Sequence, residues 1–344
     1  VKVAVVGTIT HDTIVTGDGK RISSLGGIMY NLLSFAYLDP DLTVCPVAWI
    51  GEDRREEFFA LLAPHANIEL SGIQLNPTGT NENLLVYEAS GEEGEEGAAR
   101  EAVRGGEKKG LKGEGFGETR TEISRARVPP VTVEMITPFL DADALLFNFI
   151  SGRDCDAEVM GGVREATDAL IAMDVHSLSL GATPEGRRFP RQIAGWQAFV
   201  RSADIVQCNV LEFSLLVGRS LLPESAFDRA AGTVLGEGAR LVALTLGERG
   251  SIVYERRGDG TSRHTVPPLR VDEVDTTGCG DTYGAAFLLE YLRGSDGAEA
   301  GVFASVAAGL CATASGMGEM HVVGRASELR EERFGEVDTA VVEG

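Results

Sequence analysis

A chain of 344 residues with 43% hydrophobic and 24% charged side chains can bury a full core and has the composition of a globular protein. A formal charge of −21 argues against nucleic acid or an anionic membrane surface as partner, because both require cations to neutralise phosphates. No apolar run approaches the roughly 20 residues that span a bilayer, and five scattered cysteines without CxxC or metal-ligand spacing fit a reducing compartment.

The first predicted strand covers 2–6 and ends at Gly7; its apolar run is too short for a secretory leader, so a cytoplasmic location is expected. Short alternating segments follow over 8–24. A helix is predicted over 31–38, with Leu32, Phe35 and Ala36 on one face, and a strand over 44–50. Extended segments at 83–88 and 119–124 flank a Gly/Glu/Lys/Arg tract, 91–118, that is almost empty of large apolar residues. This tract reads as a mobile, idle insertion in a hairpin tip. Together 8–24 and 80–125 form a small β-layer standing off the main sheet. Further strands are predicted at 144–149, 171–175, 205–208 and 241–246, with helical segments between them. Their continuous apolar runs suit strands covered on both faces. The chain therefore reads as one α/β domain over 1–344, with a central, mostly parallel sheet and helices on both sides.

The chemistry concentrates at 275–287, DTTGCGDTYGAAF, where a glycine turn runs into a helix predicted over 277–291. Small residues at Gly278, Cys279 and Gly280 let a ligand approach the backbone. The amides of Cys279, Gly280 and Asp281, at the positive end of the helix dipole, form a site for a phosphoryl group. A carboxylate at Asp281 weakens anion binding, a cost that makes sense if it takes a proton from an attacking hydroxyl. Neither a GxxxxGK[ST] loop nor a GxGxxG after the first strand is present. Strand ends line the crevice of open α/β sheets, so Asp174 and His176, and more weakly Ser151 and Asp154, are candidates near a substrate. His11 beside Asp12 reads as a solvated loop residue, and Cys279 as a small residue in a tight turn, the alternative being a thiol of lowered pKa.

The run DTTGCGDTYGAAF resembles the C-terminal signature of the PfkB, or ribokinase-like, carbohydrate kinases. Gly7 and Asp12 in GTITHD, and Gly26, Gly27 and Asn31 in GGIMYN, stand where that family grips its acceptor. Asn209 and Glu212 resemble its NxxE motif, which organises Mg²⁺ through water. Thr245, Gly247 and Gly250 in TLGERG resemble its TxGxxG turn over the nucleotide, and Asp275 and Thr277 resemble positions around a stimulating K⁺. The resemblance implies a ribokinase-like fold with a β-lid that supports homodimers in this family. It also implies ATP-dependent phosphorylation of a furanose-like sugar or related small molecule. A nucleoside kinase of the same family is the alternative, and would need an apolar slot from the lid. A non-catalytic sugar- or nucleotide-binding regulator is a further alternative, opposed by the presence of Asp281, Asn209 and Glu212. The lysine-poor, acidic surface fits either a GC-rich genome or a salt-rich cytoplasm.

Overall fold

The computed structural model describes residues 1–15, 19–87, 120–258, 260–333 and 337–342; the 91–118 tract lies outside them. The first half contains strands β1 (Lys2–Gly7), β2 (Ile9–Val15), β3 (Arg21–Gly27), β4 (Thr43–Gly51), β5 (Ile73–Asn76), β6 (Asn81–Tyr87), β7 (Arg120–Arg125) and β8 (Ala144–Asn148). The second contains β9 (Leu170–Asp174), β10 (Leu180–Ala182), β11 (Arg188–Pro190), β12 (Ile205–Asn209), β13 (Leu241–Thr245), β14 (Ser251–Arg257), β15 (Gly260–Val266) and β16 (Asp338–Val342). The six strands expected from apolar runs are β1, β4, β8, β9, β12 and β13, each within one residue of its predicted ends.

The main sheet has the order β16-β15-β14-β13-β12-β9-β8-β1-β4-β5. It is parallel from β5 to β13 and finishes antiparallel through β14, β15 and β16. Its strands read as continuous apolar runs because both faces are covered. Val3 and Val5 of β1 join one core cluster with the helices Met29–Leu38, Cys279–Leu292 and Gly297–Cys311. Ala4 and Val6 join the cluster on the opposite face. Alternation along a single strand thus feeds two cores, and each fully buried valine contributes roughly 1.5–3 kcal/mol.

A separate four-stranded sheet, β3-β2-β6-β7, stands beside the C-terminal ends of the parallel strands. β2 pairs antiparallel with β3 and parallel with β6, and β6 pairs antiparallel with β7. Its strands lie within 9–27, 81–87 and 120–125. A short β10–β11 hairpin joins it through the Ile123–Arg187 bridge and a hydrogen bond from the Ser124 amide to Gly186 O, 2.9 Å. Among the described residues, no helix is long and apolar enough to cross a membrane.

Candidate active site

Parallel register brings polar residues far apart in sequence to one edge. Gly7 pairs with Asn148, Asn148 with Asp174, and Asp174 with Gln207; beside them Asn209 pairs with Thr245. Each strand stays apolar until its last residues and then presents side chains to the crevice, the ligand-binding position of open α/β sheets.

The Cys279–Leu292 helix begins over this edge. Its N-cap, Gly278, has φ 82° and ψ 0°, a left-handed conformation that glycine adopts without steric penalty. An added Cβ there would lie 2.1 Å from Tyr30 Cδ1. The three amides expected to serve as an anion site are not equivalent. The Cys279 N–H donates to Thr276 O at 3.1 Å and so closes the turn, whereas Gly280 and Asp281 open the helix at the positive end of its dipole. Asp275 lies just before the turn, and its Oδ1 accepts from the Thr277 amide at 2.9 Å.

Three side chains hold this first turn. Asn148 Nδ2 donates to Asp281 Oδ1 at 2.6 Å and to Asn31 Oδ1 at 2.8 Å. Asn31 Nδ2 donates to Asp281 O at 2.9 Å. Gln207 Nε2 donates to Gly280 O at 2.8 Å and to Asp174 Oδ2 at 3.1 Å, in a space left open by Gly284. Asn31, expected at the acceptor, is 1% exposed, and its amide orients the turn that carries Asp281. Asn148 and Gln207 were not singled out in the sequence; the available signal was a polar residue ending an apolar strand. Asp281 itself is half-buried.

Asp174 is buried, and its carboxyl is pushed well above the usual range by burial, Glu212 and Asp281. Its Oδ1 accepts from the His176 amide at 3.2 Å. His176, half-buried, has φ 31°, a strained value outside glycine, and its Nδ1 lies 2.9 Å from Ser177 Oγ. Ser151 and Asp154 pair with each other, Ser151 Oγ donating to Asp154 Oδ2 at 3.0 Å.

On the lid, Asp12 accepts from Asn83 Nδ2 at 2.9 Å. An added Cβ on Gly26 would fall 2.0 Å from Asp12 Oδ2, and one on Gly27, at φ 67°, 2.2 Å from Thr8 O. The glycines therefore let this carboxylate lie against β3 and let β3 close onto the core. Burial pushes Asp12 up to about 6, opposed by the hydrogen bond from Asn83 and the nearby Thr10 hydroxyl and helped by nearby Glu122. His11 alternates to the opposite face of β2, where Arg54 stands near it; burial and that cation lower its pKa.

Asn209 and Glu212 form a reciprocal capping box at the start of the Val210–Leu216 helix. Glu212 Oε2 accepts from the Asn209 amide and Oε1 from Asn209 Nδ2, both at 2.8 Å. Carboxylate oxygens already engaged in this way suit a metal reached through water rather than bound directly. Among the described residues, no three His, Cys, Asp or Glu side chains converge on a metal position. Thr245 ends β13, and Gly247 and Gly250 turn back into β14 at φ 59° and 86°. Cys279 is 8% exposed and hydrogen-bonds Cys311, whose own thiol that contact holds below its usual pKa.

Residues 185–322 match the description "pfkB family carbohydrate kinase". A cytidine kinase of Thermococcus kodakarensis is 26% identical over 292 residues, 84% of this chain and 88% of that relative. The structure of Arabidopsis thaliana ribokinase complexed with ribose and ATP superposes with a TM-score of 0.68 at 19% identity, covering 96% of this chain and 99% of that one. A pyrophosphate-dependent kinase in the ribokinase family gives 0.70 at 15% identity, over 90% and 95%. The chain thus has the ribokinase fold, and its C-terminal part, 185–322, is similar to the pfkB family of carbohydrate kinases.

Proposed function

We propose that the chain transfers the γ-phosphoryl group of ATP to a hydroxyl of a sugar or nucleoside, with Asp281 as the base. The observation that carries this reading is the half-buried Asp281 carboxylate, which opens a helix and is fixed by Asn148 at 2.6 Å beside the lid that bears Asp12. Asp281 takes the hydroxyl proton as the oxygen attacks, while the amides of the same turn hold the charge on the transferring group. Asp12 and Asn83 orient the acceptor. Asn209 and Glu212 would hold Mg²⁺ through water, which when bound neutralises phosphate charge. Thr245, Gly247 and Gly250 border the nucleotide.

A nucleoside acceptor has a specific observation in its favour. Strand alternation puts Ile14 on the face of Asp12, and its cross-strand partner Leu85 on the face of Asn83. The lid therefore offers an apolar pair next to its hydroxyl-binding pair. Screening sugars and nucleosides for acceptor-dependent ADP release, in potassium and in sodium buffer and with pyrophosphate as an alternative donor, tests the reading. A phosphorylated acceptor with ATP, formed faster in potassium, is expected; no acceptor-dependent ADP release contradicts it.

Asp12 gives a pH prediction. Its carboxyl is charged above about 6 and neutral below, so acceptor KM rises as pH falls through that value and donor KM does not. Asp12→Asn flattens the profile. Because the folded pKa is raised, the group's contribution to stability is present at low pH and lost as pH rises from the unfolded value near 3.8 to about 6. The ionised carboxylate then costs at most about 3 kcal/mol at neutral pH. Asp12→Asn should raise Tm at pH 7 while acceptor KM is raised at every pH; a lowered Tm contradicts this.

A further inference from the structure

Arg188 opens β11, in the hairpin attached to the lid strand β7. Its side chain is only 8% exposed, an unusual state for a guanidinium, which is rarely buried unless paired. Its Nε has no hydrogen-bond partner among the described residues, and Glu122 Oε1 stands 3.9 Å from it, beyond hydrogen-bond reach. Glu122 and Asp154 both act on Arg188 electrostatically. The guanidinium thus lies near Glu122 of the lid and within electrostatic range of Asp154, whose carboxyl binds Ser151 in the loop after β8, and Ser151 Oγ lies 3.3 Å from Thr8 Oγ1. Burial opposes its charge most, as does the nearby Arg191 cation, and both carboxyl groups favour it. What it lacks is a hydrogen bond, which a neutral oxygen supplies.

The register locates that oxygen. Asp12 and Asn83 make one row across the lid, and Ile14, Leu85 and Glu122 make the row two residues further out. Arg188 reaches the Glu122 end of the second row. An acceptor whose hydroxyls sit on Asp12 and Asn83 would cover Ile14 and Leu85 with an apolar ring and present that ring's edge to Arg188. Resting on the kinase reading above, we propose that Arg188 is an acceptor-binding residue that donates to a carbonyl oxygen on a planar ring of the acceptor, as on a nucleobase. A site built to hydrogen-bond such a group rejects analogues that lack it more strongly than an apolar slot does, because the guanidinium is then left unpaired.

The test compares wild type with Arg188→Gln and Arg188→Lys on cytidine and uridine, which carry a ring carbonyl, on adenosine, which does not, and on ribose. Wild type should favour the carbonyl-bearing nucleosides. Arg188→Gln should raise their KM at least tenfold with kcat little changed, leave adenosine and ribose within twofold, and leave Tm unchanged or higher. Arg188→Lys should recover part of the KM. An unchanged KM for cytidine and uridine overturns the proposal, and so does an equal loss on every acceptor accompanied by a lower Tm, the mark of a structural role. If wild type releases ADP with none of these compounds, the kinase reading fails separately. Calorimetric binding of cytidine then decides about Arg188: binding to wild type that Arg188→Gln weakens at least tenfold supports the assignment, and absent or unaltered binding overturns it.

Discussion

Asp281→Asn should lower kcat by about 10²- to 10⁴-fold, the usual contribution of a positioned general base. Donor affinity should be largely kept, because the first-turn amides and the TLGERG turn are untouched. The substitution is also structurally mild. An asparagine Oδ1 still accepts from Asn148 Nδ2, and the Asn31 bond goes to the main-chain oxygen of residue 281, which the substitution does not alter. Folding and loss of catalysis are therefore separable: Tm within a few degrees of wild type, nucleotide binding by titration close to wild type, and turnover reduced by orders of magnitude. Unchanged turnover would remove Asp281 from the mechanism, and a collapse in nucleotide affinity would make it a binding residue.

Gly278→Ala should damage both stability and turnover. The residue sits at φ 82°, and a left-handed conformation costs a non-glycine residue about 1–2 kcal/mol. The new methyl would also lie 2.1 Å from the ring of Tyr30, which is 6% exposed and packed in the core, so the ring cannot swing into solvent. Relief requires moving the turn. A shift of about 1 Å in groups that position a reacting centre can cost about 100-fold in rate. Denaturant unfolding should show a loss of about 2–4 kcal/mol, and kcat/KM should fall about 100-fold. Gly280→Ala is the control, since a Cβ there meets nothing within 4 Å. It should fold like wild type and raise the donor KM, the methyl standing where the phosphoryl group approaches. Equal stability of the two variants would show that the close approach to Tyr30 is not what demands glycine at 278.

How much of this was legible depended on how local each feature is. The strands β1, β4, β8, β9, β12 and β13 were readable because a strand buried on both faces is an unbroken apolar run. The glycine turn was readable because its residues are consecutive. The contacts that orient it were not. Asn148 lies 133 residues from Asp281, and Gln207 lies 73 from Gly280, so only the register of β8, β9 and β12 reveals that they meet the turn. Asn209 and Glu212 show the reverse limit. A spacing of three on a helix is commonplace, and its meaning came from the cap geometry, in which each residue holds the other at a strand end. Arg188 left no sequence signal, since β10 and β11 are too short to show a period and burial of an arginine is a property of the folded hairpin. The sequence could describe the lid's alternation but not its facing, and it is the pairing of Ile14 with Leu85 that gives the nucleoside reading its support.

The central claim is that the acceptor's own hydroxyl oxygen attacks the γ-phosphorus directly, deprotonated by Asp281. A single turnover with ATP bearing ¹⁸O on the γ-phosphoryl oxygens, read by ³¹P NMR and mass spectrometry, tests it most directly. The label should appear in an acceptor phosphate monoester at the same rate as ADP forms in wild type, and that rate should fall by orders of magnitude in Asp281→Asn. Label released as inorganic phosphate, or a monoester formed at equal rates by both proteins, would contradict it.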